Sequence, residues 1–208
     1  MALRLGIFGG SFDPIHMGHL LLAEVCRDSL KLDRVRFLVA NVSPLKTDRQ
    51  VASNKDRIEM VKLAIGGNPD FELDTREMDR GGISYTIDSV RAIASENPDA
   101  ELFLLMGADV LVDLAKWREP TELFRMITPC VIARGGVGEP QWEMLRPYLD
   151  SKTLHKVIES KVVAPQIEIS SSELKARIRR GQTIRYQVPP AVELVIREKN
   201  LYVLDVPS

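Results

Sequence analysis

Two histidines three positions apart, His16 and His19, follow a Gly9-Gly10 pair and the dipeptide Asp13-Pro14 in this 208-residue chain. The chain has three histidines in all, so two imidazoles in one turn is a concentration of hydrogen-bonding groups rather than background. Imidazoles at this spacing can face one pocket and stabilise charge on a phosphate. Glycines beside them remove side chains where a backbone must approach a bulky anion. Upstream, Leu3 to Phe8 is an apolar run of strand length, and downstream Leu20 to Val25 has a helix-forming composition. The order is strand, Gly-rich turn, helix, and a helix starting near Gly18 aims its free N–H groups and positive dipole end into the space the glycines leave open. This is the build of a phosphate site.

The elements that must hold this turn follow the same rhythm along the chain. Arg34 to Ala40 reads as a second strand, Ser53 with Asp56 as the start of a helix carrying Ile58, Val61, Leu63, Ala64 and Ile65, and Phe71 to Leu73 as a weak strand. Leu102 to Met106 is a continuous apolar run, as in the middle of a parallel sheet, and Pro129 to Ala133 and Lys161 to Pro165 are further strands. Strands alternating with helices predict an α/β fold with a parallel sheet, whose ligands sit beyond the carboxyl ends of the strands. That rim collects Lys46 after the second strand, Asp109 after Leu102–Met106, and Trp117 beyond it. Asp109 suits a ribose hydroxyl, a metal-bound water or a helix cap, and Trp117 either the core or a stack on a planar ring. Ser84 and Thr86 open a helix, as N-caps or as ligand contacts. Ser170 and Ser171 open another, in which Arg177 lies one turn on, close enough to share an anion. Five basic residues against one acidic from Glu173 to Arg185 otherwise read as a solvated face.

Composition narrows the function classes. Hydrophobic residues are 45% and charged residues 27%, which excludes a disordered or fibrous chain. A formal net charge of −1 argues against a nucleic-acid partner. No run of about 18 apolar residues predicts a membrane span, and the N-terminus enters a strand without a signal-like segment, so a cytoplasmic location is expected. Cys26 and Cys130 lack metal-ligand spacing and read as buried thiols. We expect one domain over 1–208. Nothing in the sequence fixes an oligomeric state.

The stretch Gly9-Gly10-Ser11-Phe12-Asp13-Pro14-Ile15-His16-Met17-Gly18-His19 resembles the Gly-Gly-x-Phe-Asp-Pro-x-His-x-Gly-His motif of nucleotidyltransferases. Together with Arg57-Ile58-Glu59-Met60, Ser84-Tyr85-Thr86, Gly107-Ala108-Asp109, Lys116-Trp117, Ile169-Ser170-Ser171-Ser172 and Ile184 to Pro189, it is similar over nearly the whole chain to the bacterial nicotinate mononucleotide adenylyltransferases. The resemblance implies a Rossmann-like sheet with helices on both faces, and transfer of the adenylyl group of ATP to nicotinate mononucleotide with Mg²⁺ as the ion carried by ATP. It further implies His16, His19, Lys46 and Arg177 as catalytic residues, and Phe8, Gly9, Gly10, Ser11, Phe12, Gly18, Gly107, Asp109, Ile169, Ser170 and Ser171 on ATP. Ser84, Tyr85, Thr86, Trp117 and Arg134 would fall on the mononucleotide, no side chain would ligate a metal directly, and 166–208 would complete the ATP site. Two loops depart from the family pattern: Ser43-Pro44-Leu45-Lys46 stands for Pro-Pro-His-Lys, and Arg134-Gly135-Gly136 for Arg-Pro-Gly. Leu45 cannot donate to a phosphate. The rival readings are an adenylyl- or cytidylyltransferase of the same fold acting on another phosphorylated molecule, and a non-catalytic nucleotide-binding regulator.

Overall fold

The structure, a computed structural model, describes residues 2–44, 52–134 and 138–203. Strands β1 (Arg4–Gly10), β2 (Arg34–Val39), β3 (Phe71–Asp74), β4 (Glu101–Gly107), β5 (Thr128–Arg134) and β6 (Val162–Ala164) form one parallel sheet in the order β3-β2-β1-β4-β5-β6. The helices are α1 (Met17–Leu30), α2 (Asn54–Ile65), α3 (Arg76–Arg80), α4 (Thr86–Glu96), α5 (Pro120–Met126), α6 (Ser151–Glu159), α7 (Ser171–Arg179) and α8 (Pro190–Glu198), with a 3-10 helix over Ala108–Lys116. The apolar run of β4 divides between two cores. Phe103 and Leu105 pack with α1, α2, α7 and α8 on one face, while Leu102, Leu104 and Met106 pack with α4, α5 and α6 on the other. A strand buried on both faces needs apolar residues at every position, which is why β4 lacks the alternation of a half-exposed strand. The expected α/β sheet with helices on both faces is present.

The sheet positions the site by its register. β1 pairs with β2 as far as Gly10 opposite Val39, but with β4 only as far as Ile7 opposite Leu104. Beyond that point Phe8 to Gly10 and Leu105 to Gly107 part, and the crevice opens where the strand order reverses. Three expectations need correction. In α2 the buried residues are Arg57, Met60, Val61 and Ile65, and Leu63 is exposed, because the inward stripe runs through Arg57. The helix after Gly82 is capped at Tyr85 without a side-chain bond, rather than by Ser84 or Thr86. The cap of the 3-10 helix is Gly107, so Asp109 lies inside its first turn instead of capping it.

Candidate active site

The crevice is a cavity of about 270 Å³ lined by the ends of β1, β2 and β4. Ser84, Tyr85 and Thr86 at the start of α4, and Lys116, Trp117 and Arg118 after the 3-10 helix, close its sides. Its size lies just below the roughly 300–1,000 Å³ of small-ligand sites. Trp117 is half-buried in the lining and its buried Nε1–H has no hydrogen-bond partner among the described residues. The Arg118 guanidinium lies 4.8 Å from the centre of the Tyr85 ring, so a cation and an aromatic face share this wall. Arg118 also reaches Asp88 at 3.4 Å and Glu119 at 3.5 Å.

Ser84 turns its hydroxyl oxygen to the backbone of the neighbouring loop. Its Oγ accepts from the Asn41 backbone N–H at 2.8 Å. It therefore ties the loop after β2 to the start of α4. The buried Glu77 carboxylate accepts from the Ser89 hydroxyl at 2.6 Å, and burial raises its pKa despite this donor. Arg57 holds the same rim from within. It is fully buried, and its guanidinium donates to the carbonyls of Ser11 at 2.8 Å, Ala40 at 2.7 Å and Asn41 at 3.2 Å, with burial lowering its pKa. A cation serving three carbonyls fixes the ends of β1 and β2 against each other.

The two glycines of the turn have different reasons. A Cβ on Gly9 would enter open space in the crevice, so close approach of a ligand fits there, whereas a Cβ on Gly10 would meet the Phe12 ring at 2.9 Å. Phe12 is buried, with φ of 47°, and its ring packs edge-on against His19 at 5.1 Å. It orients His19 and offers no surface to a nucleotide. Phe8 supports the same ring from 6.0 Å. The rings of His16 and His19 stack at 3.6 Å, and His19 Nδ1 accepts the His16 backbone N–H at 3.2 Å. A neutral imidazole that accepts at Nδ1 carries its proton on Nε2, so His19 presents a donor there. His16 is buried, burial lowers its pKa to about 4, and its Nδ1 has no hydrogen-bond partner among the described residues. Gly18 is required beneath it, since a Cβ there would stand 3.0 Å from that Nδ1.

The C-terminal residues reach this loop by side chain and backbone. Ser171 Oγ donates to the Pro14 carbonyl at 2.9 Å, and the Met17 N–H donates to the Gln187 carbonyl at 2.9 Å. Ser170 Oγ accepts from the Glu173 N–H as the N-cap of α7. Ser171 thus spends its hydroxyl hydrogen within the protein while Ser170 keeps its own, and Ile169 packs on the core. Arg177 Nε donates to the Thr183 carbonyl at 3.0 Å. The Asp109 carboxylate folds back over Gly107, where a Cβ would collide with it, and is exposed. Phe8, Gly9, Gly10, Ser11, Ser84, Tyr85, Thr86, Gly107 and Trp117 line the cavity; His16, His19, Asp109, Ser170, Ser171 and Arg177 do not. Lys46 and Leu45 lie outside the described residues, as do Gly135 and Gly136, and Arg134 closes β5 with its side chain likewise outside them. Asp13, Arg57, Glu77, Lys116, Arg118, Lys175 and Tyr202 are residues of the site or its supports to which the sequence reading gave no role.

A family model described as "Cytidylyltransferase-like" matches residues 7–177. A protein of Rhodopirellula baltica named "Probable nicotinate-nucleotide adenylyltransferase" is 39% identical over 95% of this chain and 92% of its own length. One of the same name from Thermus thermophilus is 40% identical over 96% of this chain and 100% of its own. The solved structure of Plasmodium falciparum nicotinic acid mononucleotide adenylyltransferase complexed with NaAD superimposes with a TM-score of 0.71 at 18% identity, covering 96% of this chain and 97% of that one, a likeness of fold. With that fold, the histidine turn and near-full-length identity of this order, the chain belongs to the nicotinate-nucleotide adenylyltransferases of the cytidylyltransferase-like family.

Proposed function

We propose that this enzyme transfers the adenylyl group of ATP to nicotinate mononucleotide, giving deamido-NAD and pyrophosphate. The observation that carries this reading is the opening between β1 and β4, where Gly9 and Gly10 line an aromatic- and cation-walled cavity and lead in sequence to the turn that holds the two stacked imidazoles. The pyridine ring lies against Trp117, with its carboxylate toward the N–H groups at the start of α4 and the cationic Lys116 and Arg118. ATP takes the other side, over Gly9 and beside His16, His19 and the start of α7, and 166–208 completes its site within a single 1–208 domain. Ser171 gives its hydroxyl hydrogen to Pro14, so the donors there are the Ser170 hydroxyl and the backbone N–H groups that open α7.

In the reaction an oxygen of the mononucleotide phosphate attacks the α-phosphorus of ATP in line. The new P–O bond forms as the bond to the β-phosphate oxygen breaks, and pyrophosphate leaves with that electron pair, so no covalent enzyme intermediate is needed. The protein supplies positioning and charge stabilisation. His19 Nε2–H donates to the phosphate oxygens as charge moves toward the leaving group, while Lys46 and Arg177 neutralise the polyphosphate. The buried, neutral His16 offers its Nδ1 to a hydrogen-bond partner. No group of three or more His, Cys, Asp or Glu capable of holding a metal occurs among the described residues. The exposed Asp109 carboxylate fits the outer waters of an ion carried by the nucleotide, which we take as Mg²⁺; such an ion neutralises phosphate charge. No helix among the described residues is long and apolar enough to cross a membrane. A cytoplasmic location accords with the two free buried thiols. The test is pyrophosphate release from ATP and Mg²⁺ with a panel of phosphorylated acceptors. We expect release with nicotinate mononucleotide, and release only with another acceptor such as phosphopantetheine would overturn the assignment.

A further inference from the structure

Asp13 is buried three residues before His16, and its carboxylate is surrounded by donors from distant parts of the chain. Oδ1 accepts from the Tyr202 hydroxyl at 2.8 Å and the Ala52 N–H at 3.2 Å, and Oδ2 accepts from Lys175 Nζ at 3.0 Å. The Lys175 side chain is 12% exposed and its ammonium lies 5.9 Å from the centre of the Tyr202 ring. Lys175 is one turn beyond Ser171 on the same face of α7, so the Asp13 ion pair and the Ser171 bond to the Pro14 carbonyl clamp adjacent residues of one loop. None of Asp13, Lys175 and Tyr202 lines the cavity. Burial and the neighbouring carboxylate keep the Tyr202 phenol protonated, hence a donor.

We propose that Lys175 and Tyr202 are positioning residues for the adenylyl-transfer reaction, acting through Asp13 to hold the His16–His19 turn at the angle at which the stacked imidazoles meet the phosphates. The inference rests on the function proposed above. A carboxylate held by donors from both α7 and the segment after α8 cannot rotate without breaking a buried charged contact, so the turn that follows it inherits a fixed orientation. The C-terminal part of the chain thereby contributes to turnover without touching substrate.

Tyr202→Phe removes one oxygen and keeps the ring. We expect kcat to fall by about tenfold, since displacement of a reacting group by a fraction of an ångström has effects of that order. KM for nicotinate mononucleotide should change by less than about twofold, because the cavity is untouched. In a His19→Ala background the same substitution should cost less than about twofold, the group it aims being absent. Lys175→Met is read the same way. The ¹⁵N shifts of the His16 and His19 imidazoles in the protein without substrate should move in both variants, a readout independent of the acceptor's identity. Unchanged kcat with unchanged imidazole shifts, or an equal fall in both backgrounds, overturns the proposal. A wild-type protein inactive on nicotinate mononucleotide refutes the assigned function instead, and the imidazole shifts still decide the positioning role.

Discussion

Replacing Gly18 with alanine separates the position of His16 from the stability of the fold. Gly18 is the second residue of α1, in a helical stretch that alanine adopts without strain, and alanine is favoured over glycine by ~0.8–1 kcal/mol inside a helix. The added Cβ would stand 3.0 Å from His16 Nδ1 and 3.1 Å from Cε1. The His16 ring must therefore move by about 0.4 Å, the gap between 3.0 Å and the 3.4 Å at which ordinary van der Waals contact begins. It is 6% exposed and stacked at 3.6 Å on His19, so any movement is passed to the second imidazole. Helix gain and repacking cost oppose each other, and the net change in stability should stay within about 1 kcal/mol. A misplacement of ~1 Å can cost a hundredfold in rate, so several-fold to about tenfold in kcat is expected here. Steady-state pyrophosphate release and thermal unfolding measure the two effects separately. Wild-type kcat at an unchanged Tm would refute the reasoning, because it would mean that the placement of the His16 ring does not govern turnover.

Arg57→Met should destabilise the protein by ~2–3 kcal/mol in urea unfolding, since the part-buried carbonyls of Ser11, Ala40 and Asn41 lose their donor at about 1 kcal/mol each, partly offset by relief of a buried cation. An unmoved midpoint would show that water replaces the guanidinium without cost. His16 should impose a pH dependence on stability: its pKa is about 4 folded against the ordinary 6.5, so between these values the unfolded chain takes up a proton the folded one refuses. The contribution is complete above pH 6.5 and declines as pH falls toward about 4, by ~3 kcal/mol over the whole interval. His16→Gln should flatten the stability profile over that range, and parallel wild-type and variant profiles would contradict the burial effect.

The sheet was legible because most strands carry an apolar run, unbroken in β4 from Leu102 to Met106, and because some helix starts carry a recognisable capping residue, as with Ser53 and Ser170, both of which accept the expected N–H. The imidazole turn was legible because glycines and histidines have few other reasons to occur together. The supports were hidden for a physical reason: a charged residue looks the same in sequence whether it faces water or a buried partner. Arg57 held one signal, its i, i+3, i+4 and i+8 spacing with the buried Met60, Val61 and Ile65. Asp13, Lys175 and Tyr202 meet only through the fold, at separations of 162 and 189 residues. Ser84 shows the converse, a residue placed as expected at the cavity whose hydroxyl oxygen already accepts from the Asn41 N–H.

The choice of acceptor depends on charge at one wall of the cavity. The start of α4 favours an anion by ~0.3–1 kcal/mol, up to ~2 when partly buried. An amide in place of the carboxylate sets its NH₂ against donors and leaves polar groups unpaired, at ~1–3 kcal/mol more. Stacking on Trp117 favours both rings alike. The decisive measurement is kcat/KM for nicotinate mononucleotide relative to nicotinamide mononucleotide, with ATP and Mg²⁺ at fixed concentrations. A ratio of at least about ten in favour of the acid is predicted, ~1.4 kcal/mol per factor of ten. Equal efficiencies, or a preference for the amide, would contradict recognition of the carboxylate at the start of α4.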